Sequence, residues 1–167
     1  ILELLQKADY AYQKSIDQGN RPSDYLIVEI SYIDDCLKIS NTGTFFDEDG
    51  IKAIVQGNNS PKKGKYIGNK GTGFRSILNW ASSVRIFSGE FAVEFSRSYA
   101  KEIFDTIKET PQIAKQLQRE KTLYIPMLAV PRNIPHDRPI DRTTIEVDVD
   151  PKKSQDEYSV RKQLETI

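Results

Sequence analysis

A chain of 167 residues with 38% hydrophobic and 29% charged residues carries enough apolar side chain for one domain with a real core, and too little length for two comfortable ones. Its 24 basic and 24 acidic residues leave a formal net charge of zero, so no global field draws it to nucleic acid or to an anionic membrane. No apolar run approaches the roughly 18 residues of a membrane span, and the single cysteine, Cys36, excludes an internal disulfide framework and fits a reducing, cytoplasmic setting.

In chain order, residues 1–17 place Ile1, Leu4, Leu5, Ala8, Tyr12 and Ile16 at spacings of three and four, which predicts an amphipathic helix that GNRPSD (19–24) ends. YLIVEISYI (25–33) and LKIS (37–40) read as strands joined by a turn at Asp34-Asp35. Cys36, beside that turn, is either a reactive thiol or a small buried hydrophobe, and a lone cysteine favours the second. Asp47 is an N-cap for a short helix to about Gln56. Residues 57–70 are glycine, asparagine, proline, serine and lysine with no apolar period, a loop of lid-like length. GFRSILNWASS (73–83) has helical period, with Trp80 as a core residue.

VRIFSGEFAVEFS (84–96) alternates as a hairpin about Ser88-Gly89. Two helices broken at Pro111 follow over 98–120. TLYIPMLAVP (122–131) reads as a buried strand, TTIEVDV (143–149) as the last strand, and 151–167 as a charged helix. His136, the only histidine, sits in the proline-rich PRNIPHDRP and is expected to be an exposed loop residue. Asp47, Glu48 and Asp49 are explained by capping. Strands joined by tight turns predict an α+β fold, a two-layer sandwich with a mostly antiparallel mixed sheet and helices on one face. The chain opens already in helical pattern, with Met127 its only methionine, so 1–167 is expected to be a single domain from a longer protein.

GKYIGNKGTGFRS (64–76) is the densest glycine segment. Gly68 to Gly73 spells GxxxxG, but a P-loop needs Lys and Ser/Thr next, where Phe74 and Arg75 stand, and it needs a buried strand before it. GxxGxG is also the reverse of the dinucleotide fingerprint. What remains is a glycine turn feeding a helix, whose free N–H groups suit a phosphate, or else a structural hinge.

IGNKGTGFRSILNWASSVRIFSGEFAVEFS resembles the second glycine box of the GHKL ATPases, the superfamily of DNA gyrase, ninety-kilodalton heat-shock chaperones, sensor histidine kinases and mismatch-repair MutL. Three further landmarks of that family stand in order: LELLQKADYA (2–11) for the acidic helix, SNTGTFF (40–46) for the first glycine box, and TTIEVDV at 143 for the closing strand. The likeness is nearer the chaperone and MutL branch. It implies a Bergerat-type ATP-binding fold that binds ATP, hydrolyses it to ADP and phosphate, and uses closure of the 57–70 lid to switch the conformation or dimerisation of a larger protein.

Carried over residue by residue, the resemblance makes Glu3 the general base that activates water. Asn41 stands where an aspartate accepts from the adenine amino group, Gly43 lets the backbone close on the base, and Phe46 and Thr143 complete the base side. Gly68, Gly71 and Gly73, with the N–H groups of Thr72 and Phe74, hold the phosphates, and Lys70 adds charge. Lys62, Lys63 and Lys65 are either further phosphate contacts or a solvated face.

The pattern breaks at three positions. Lys7 replaces the asparagine that ligates magnesium, and an ammonium has three donors and no acceptor. At 4 Å and an effective dielectric near 20, one positive charge repels another by about 4 kcal/mol, doubled for a divalent ion. The resemblance still implies magnesium with the ATP, so Lys7 contacts phosphate and replaces part of the metal's charge, snorkels away and leaves magnesium to water and phosphate oxygens, or marks a site that binds nucleotide without turnover. Phe45 stands at the second glycine of the first box, where it packs on the base or crowds it, and Tyr10 replaces a frequent aspartate. The competing expectations are a nucleotide sensor or scaffold, a histidine kinase, and an interaction domain whose glycines only hinge. The residues give no metal signature, no membrane signal and no direct nucleic-acid signal.

Overall fold

The computed structural model describes residues 2–19, 26–56, 77, 80–120, 123–154 and 160–165, the side chains of Leu2, Glu3, Lys153 and Ser154 excepted. The glycine segment, with Gly68, Lys70, Gly71, Thr72, Gly73 and Phe74, lies outside them, as does the expected lid.

Helix α1 (Leu2–Asp17) precedes a hairpin of β1 (Val28–Ile33) and β2 (Cys36–Asn41). The hairpin turns on Asp34 and Asp35 at φ 50° and 58°, the left-handed pair that matches strand twist. Helix α2 (Glu48–Gln56) follows, its first turn capped by Asp47, whose Oδ1 accepts from Gly50 N at 2.8 Å. A second hairpin, β3 (Ala81–Ser88) and β4 (Phe91–Ser96), leads into α3 (Arg97–Ile107) and α4 (Pro111–Leu117). The proline at the first position of α4 is where its missing N–H costs nothing. The two-residue β5 (Arg132–Asn133), then β6 (Thr143–Val149), α5 (Pro151–Ser154) and α6 (Val160–Leu164) complete the chain.

Among the described residues, six strands form one sheet in the order β1-β2-β6-β3-β4-β5, every pair antiparallel. The expected α+β class with antiparallel pairing therefore holds. Alternation places Leu37, Ile39, Val84, Ile86, Val93, Phe95, Ile145 and Val147 on one face, and Leu4 of α1, Ile54 of α2 and Val160 of α6 join them in one apolar core. No helix among the described residues is long and apolar enough to cross a membrane.

Three sequence expectations need correction. Ala81–Ser83 belong to β3, not to the end of a helix: Ala81 pairs Val149 and Ser83 pairs Asp148 across an irregularity in register. Residues 123–131 hold no strand. Pro126 has no N–H to give a ladder, and the chain instead makes a 3-10 turn, Met127–Ala129, that plugs Met127 and Leu128 into the core. His136 is half-buried, docked on the sheet. Trp80, expected in the core, packs partly buried against it, and its backbone closes a turn with Ile77.

Candidate functional site

The core face of the sheet is apolar along its length and then changes character at one end. Asn41 closes β2, Thr143 opens β6 and Ser88 closes β3. The register sets Asn41 opposite Thr143, and Thr143 opposite Ser88, so the three form one cross-strand row. Next in from that row, Ile39 faces Ile145 and Ile145 faces Ile86. All three polar residues are buried, Asn41 at 7% exposure and Thr143 at 3%.

Burial obliges such groups to find partners, and they do. Ser88 Oγ and Thr143 Oγ1 lie 2.6 Å apart. Phe46 N donates to Ser88 Oγ at 2.9 Å, which pins the segment after β2 to the end of β3. Asn41 Nδ2 donates to Thr42 O at 2.9 Å, an orientation that leaves Oδ1 as the acceptor of the carboxamide. Ser88 was not foreseen from sequence. Its signal, a serine ending an apolar alternation, becomes meaningful only once the register aligns it with Asn41 and Thr143.

Gly43 meets helix α1 directly. It adopts φ +123°, and a Cβ there would lie 2.9 Å from both Ala11 C and Tyr12 N of α1. Thr44 N donates to Ala11 O at 3.0 Å in the same contact. The glycine lets the loop after β2 touch the backbone of α1, and so ties that helix to the loop that follows Asn41.

On α1, Glu3, Lys7 and Ala11 recur at four-residue spacing and form one stripe. Ala11 meets Gly43, and Lys7 lies one turn back, about 6 Å along the axis. Leu4 and Ala8 beside it are buried, and Lys7 is half-buried and already engages a partner. The backbone of Glu3 is on the helix, and its side chain lies outside the described residues. Register and the Phe46–Ser88 bond bring Asn41, Phe46, Ser88 and Thr143 to one end of the sheet, and Gly43 of the adjoining loop meets Ala11 of α1, one turn from Lys7.

Magnesium does not fit the residue that the family pattern sets for it. Lys7 can donate and cannot ligate, and among the described residues no group of three His, Cys, Asp or Glu side chains gathers to supply another cage. Phe45 stands apart from this conflict: its ring lies against Gly89 of the β3–β4 turn, 3.2 Å from where a Cβ would be, and is 41% exposed.

The opposite face of the sheet is ionic. Arg85 binds Asp148 through two nitrogens, both at 2.8 Å, and Glu146 at 3.1 Å, while Ser83 Oγ donates to Asp148 at 2.5 Å. Burial pulls the Asp148 carboxyl upward, but the bonds from Arg85 and Ser83 outweigh it and leave the group below its ordinary value. Burial and the adjacent Asp148 charge push the Cys36 thiol up to about 11, so it is held as an inert thiol and not as a nucleophile. A shallow groove of about 550 Å³ along α3, lined by Ser98, Lys101, Glu102, Asp105 and Thr106, draws its lining from one helix and brings no such chemistry together.

No protein-family model matches the chain, and a search of curated proteins finds no match.

Proposed function

We propose that the chain is an adenine-nucleotide-binding module of GHKL type with a Bergerat-type fold. The observation that carries this reading is the buried row Asn41–Thr143–Ser88, polar where the rest of the core face is apolar, with α1 fastened beside it through Gly43. The Asn41 carboxamide, with Nδ2 held by Thr42 O, offers Oδ1 to an exocyclic amino group. At its six position adenine presents that amino group, whereas guanine presents a carbonyl there and meets an acceptor with an acceptor. Thr143 and the backbone near Phe46 line the same corner. Phosphates would go to the glycine segment at Gly68, Gly71 and Gly73, with the N–H groups of Thr72 and Phe74 and the ammonium of Lys70.

Hydrolysis to ADP and phosphate assigns Glu3 as the base that takes a proton from water. Closure of the 57–70 segment over bound nucleotide would then switch the conformation or dimerisation of a longer, cytoplasmic protein. A second reading, a nucleotide sensor with little turnover, is favoured by one observation: Lys7, not an acceptor, sits half-buried on the α1 stripe.

The test is equilibrium binding of non-hydrolysable ATP and GTP analogues, in magnesium and in excess EDTA, with phosphate release measured alongside for ATP. Adenine binding at least tenfold tighter than guanine supports the module. Turnover lost in Glu3→Gln separates the ATPase from the sensor, which binds without releasing phosphate. Absence of binding in both buffers contradicts both readings.

A further inference from the structure

Residues 134–142 run as a strap over the ionic face of the sheet, opposite the polar row. Ile134 N donates to Ala92 O of β4 at 3.2 Å. The His136 ring meets Phe87 of β3 edge-on, with centroids 5.6 Å apart and planes at 74°. His136 Nδ1 accepts from Arg138 N at 3.3 Å, which shapes the bend between them. Arg138 lays its guanidinium 5.1 Å from the centre of the same Phe87 ring and donates from Nε to Glu146 at 2.8 Å. Arg142 reaches Glu29 of β1 at 2.8 Å. Beneath lie outward-facing positions of the sheet that are almost wholly buried, Phe87 at 2% exposure, Thr144 at 1% and Glu146 at 4%.

The strap ends directly in Thr143. Phe87, on which it rests, is the residue before Ser88. The two residues that bond to each other in the candidate nucleotide corner are therefore each one peptide bond from an anchor on the other side of the sheet. Thr143 is the first residue of its strand, and strand ends fray unless held. Thr143 pairs with Asn41 and Ser88 on either side, and the ion pairs and ring contacts of the strap anchor the chain that leads into it.

We infer that the strap is a clasp that sets the position of Thr143 and Ser88, making Arg138 and His136 positioning residues for the nucleotide corner from the opposite face of the sheet. This rests on the nucleotide reading above and adds a route of regulation: what loosens the strap weakens the corner, and by linkage what binds the corner tightens the strap.

The experiment uses the whole chain with Arg138→Gln, which cuts the bond to Glu146, and Arg138→Lys, which keeps the charge without the fork. Binding of a non-hydrolysable ATP analogue and amide exchange are measured for each. Arg138→Gln is expected to weaken binding about five- to tenfold, within the usual range of coupling. It should speed exchange at Phe46 N–H, the donor to Ser88, while Ile39 and Val147 in the middle of the sheet stay protected. Arg138→Lys should fall between, and the analogue should slow exchange along 134–142 in the unmodified chain. Binding and Phe46 exchange left within twofold by Arg138→Gln overturn the clasp alone. No binding by the unmodified chain overturns the nucleotide reading and the clasp with it.

Discussion

The two faces of one sheet are built by different physics from the same alternating strands. On the core face, β2, β3 and β6 present apolar columns that end in a polar row. On the other, the same strands present Lys38, Arg85, Glu146 and Asp148, closed over in part by a strap. The first face gains from removing apolar area from water and is indifferent to salt. The second depends on every buried charge keeping its partner. A polar row therefore has opposite meanings on the two faces. Among charges it would be ordinary surface chemistry, whereas at the end of an apolar face it stands out, and that contrast is the ground for proposing a binding corner there.

The sharpest way to break this contrast is at its two centres. Glu146→Ala leaves Arg85 and Arg138 without their shared carboxylate and should cost about 3–5 kcal/mol. Phe95→Ala empties a fully buried position and should cost about the same. Denaturant melts in low and high salt tell them apart: the Glu146 penalty should shrink with salt, and the Phe95 penalty should not. Equal salt response in both would erase the distinction.

Gly43→Ala comes next. Its φ and the 2.9 Å approach to α1 predict a loss of about 2 kcal/mol or more, with α1 amides losing protection before the sheet does. Ser88→Ala follows at about 1–3 kcal/mol, since Phe46 N and Thr143 Oγ1 both lose their partner in a buried place.

The acid response belongs to the ionic face. Asp148 is held below its ordinary value, so its contribution is present above the unfolded value near 3.9 and is lost as pH falls through the folded one. Asp148→Asn should flatten the loss of stability below about pH 4 in acid titrations followed by circular dichroism. The smallest effect is at Cys36: alkylation at pH 8 should be slow, and Asp148→Asn should speed it by removing the charge that disfavours the thiolate.

What could be read from sequence was what depends on neighbours in the chain. The alternation of 143–149, the two-residue turn at 34–35, the cap at Asp47 and the break at Pro111 are local, and each stands where expected, while the second hairpin turns one residue later than read, on Gly89-Glu90 with Ser88 still paired to Phe91. TLYIPMLAVP misled because its composition suits a strand, while Pro126 denies the ladder a donor. His136 and Arg138 look like solvated loop residues until β3 brings Phe87 under both of them. In the candidate site, the places of Asn41 and Thr143 at strand ends could be read from local pattern, whereas the alignment of Ser88 with them and the contact of Gly43 with α1 depend on register and on helix docking.

The most direct test of the central claim is calorimetric titration of a non-hydrolysable ATP analogue, in EDTA and in magnesium, into the unmodified chain, Asn41→Ala and Lys7→Asn. Binding in EDTA by the unmodified chain is expected, weakened at least tenfold by Asn41→Ala, with a magnesium requirement emerging only when Lys7 becomes asparagine. Binding untouched by Asn41→Ala, or no binding to any of the three in either buffer, would contradict the claim that the polar row is a nucleotide corner.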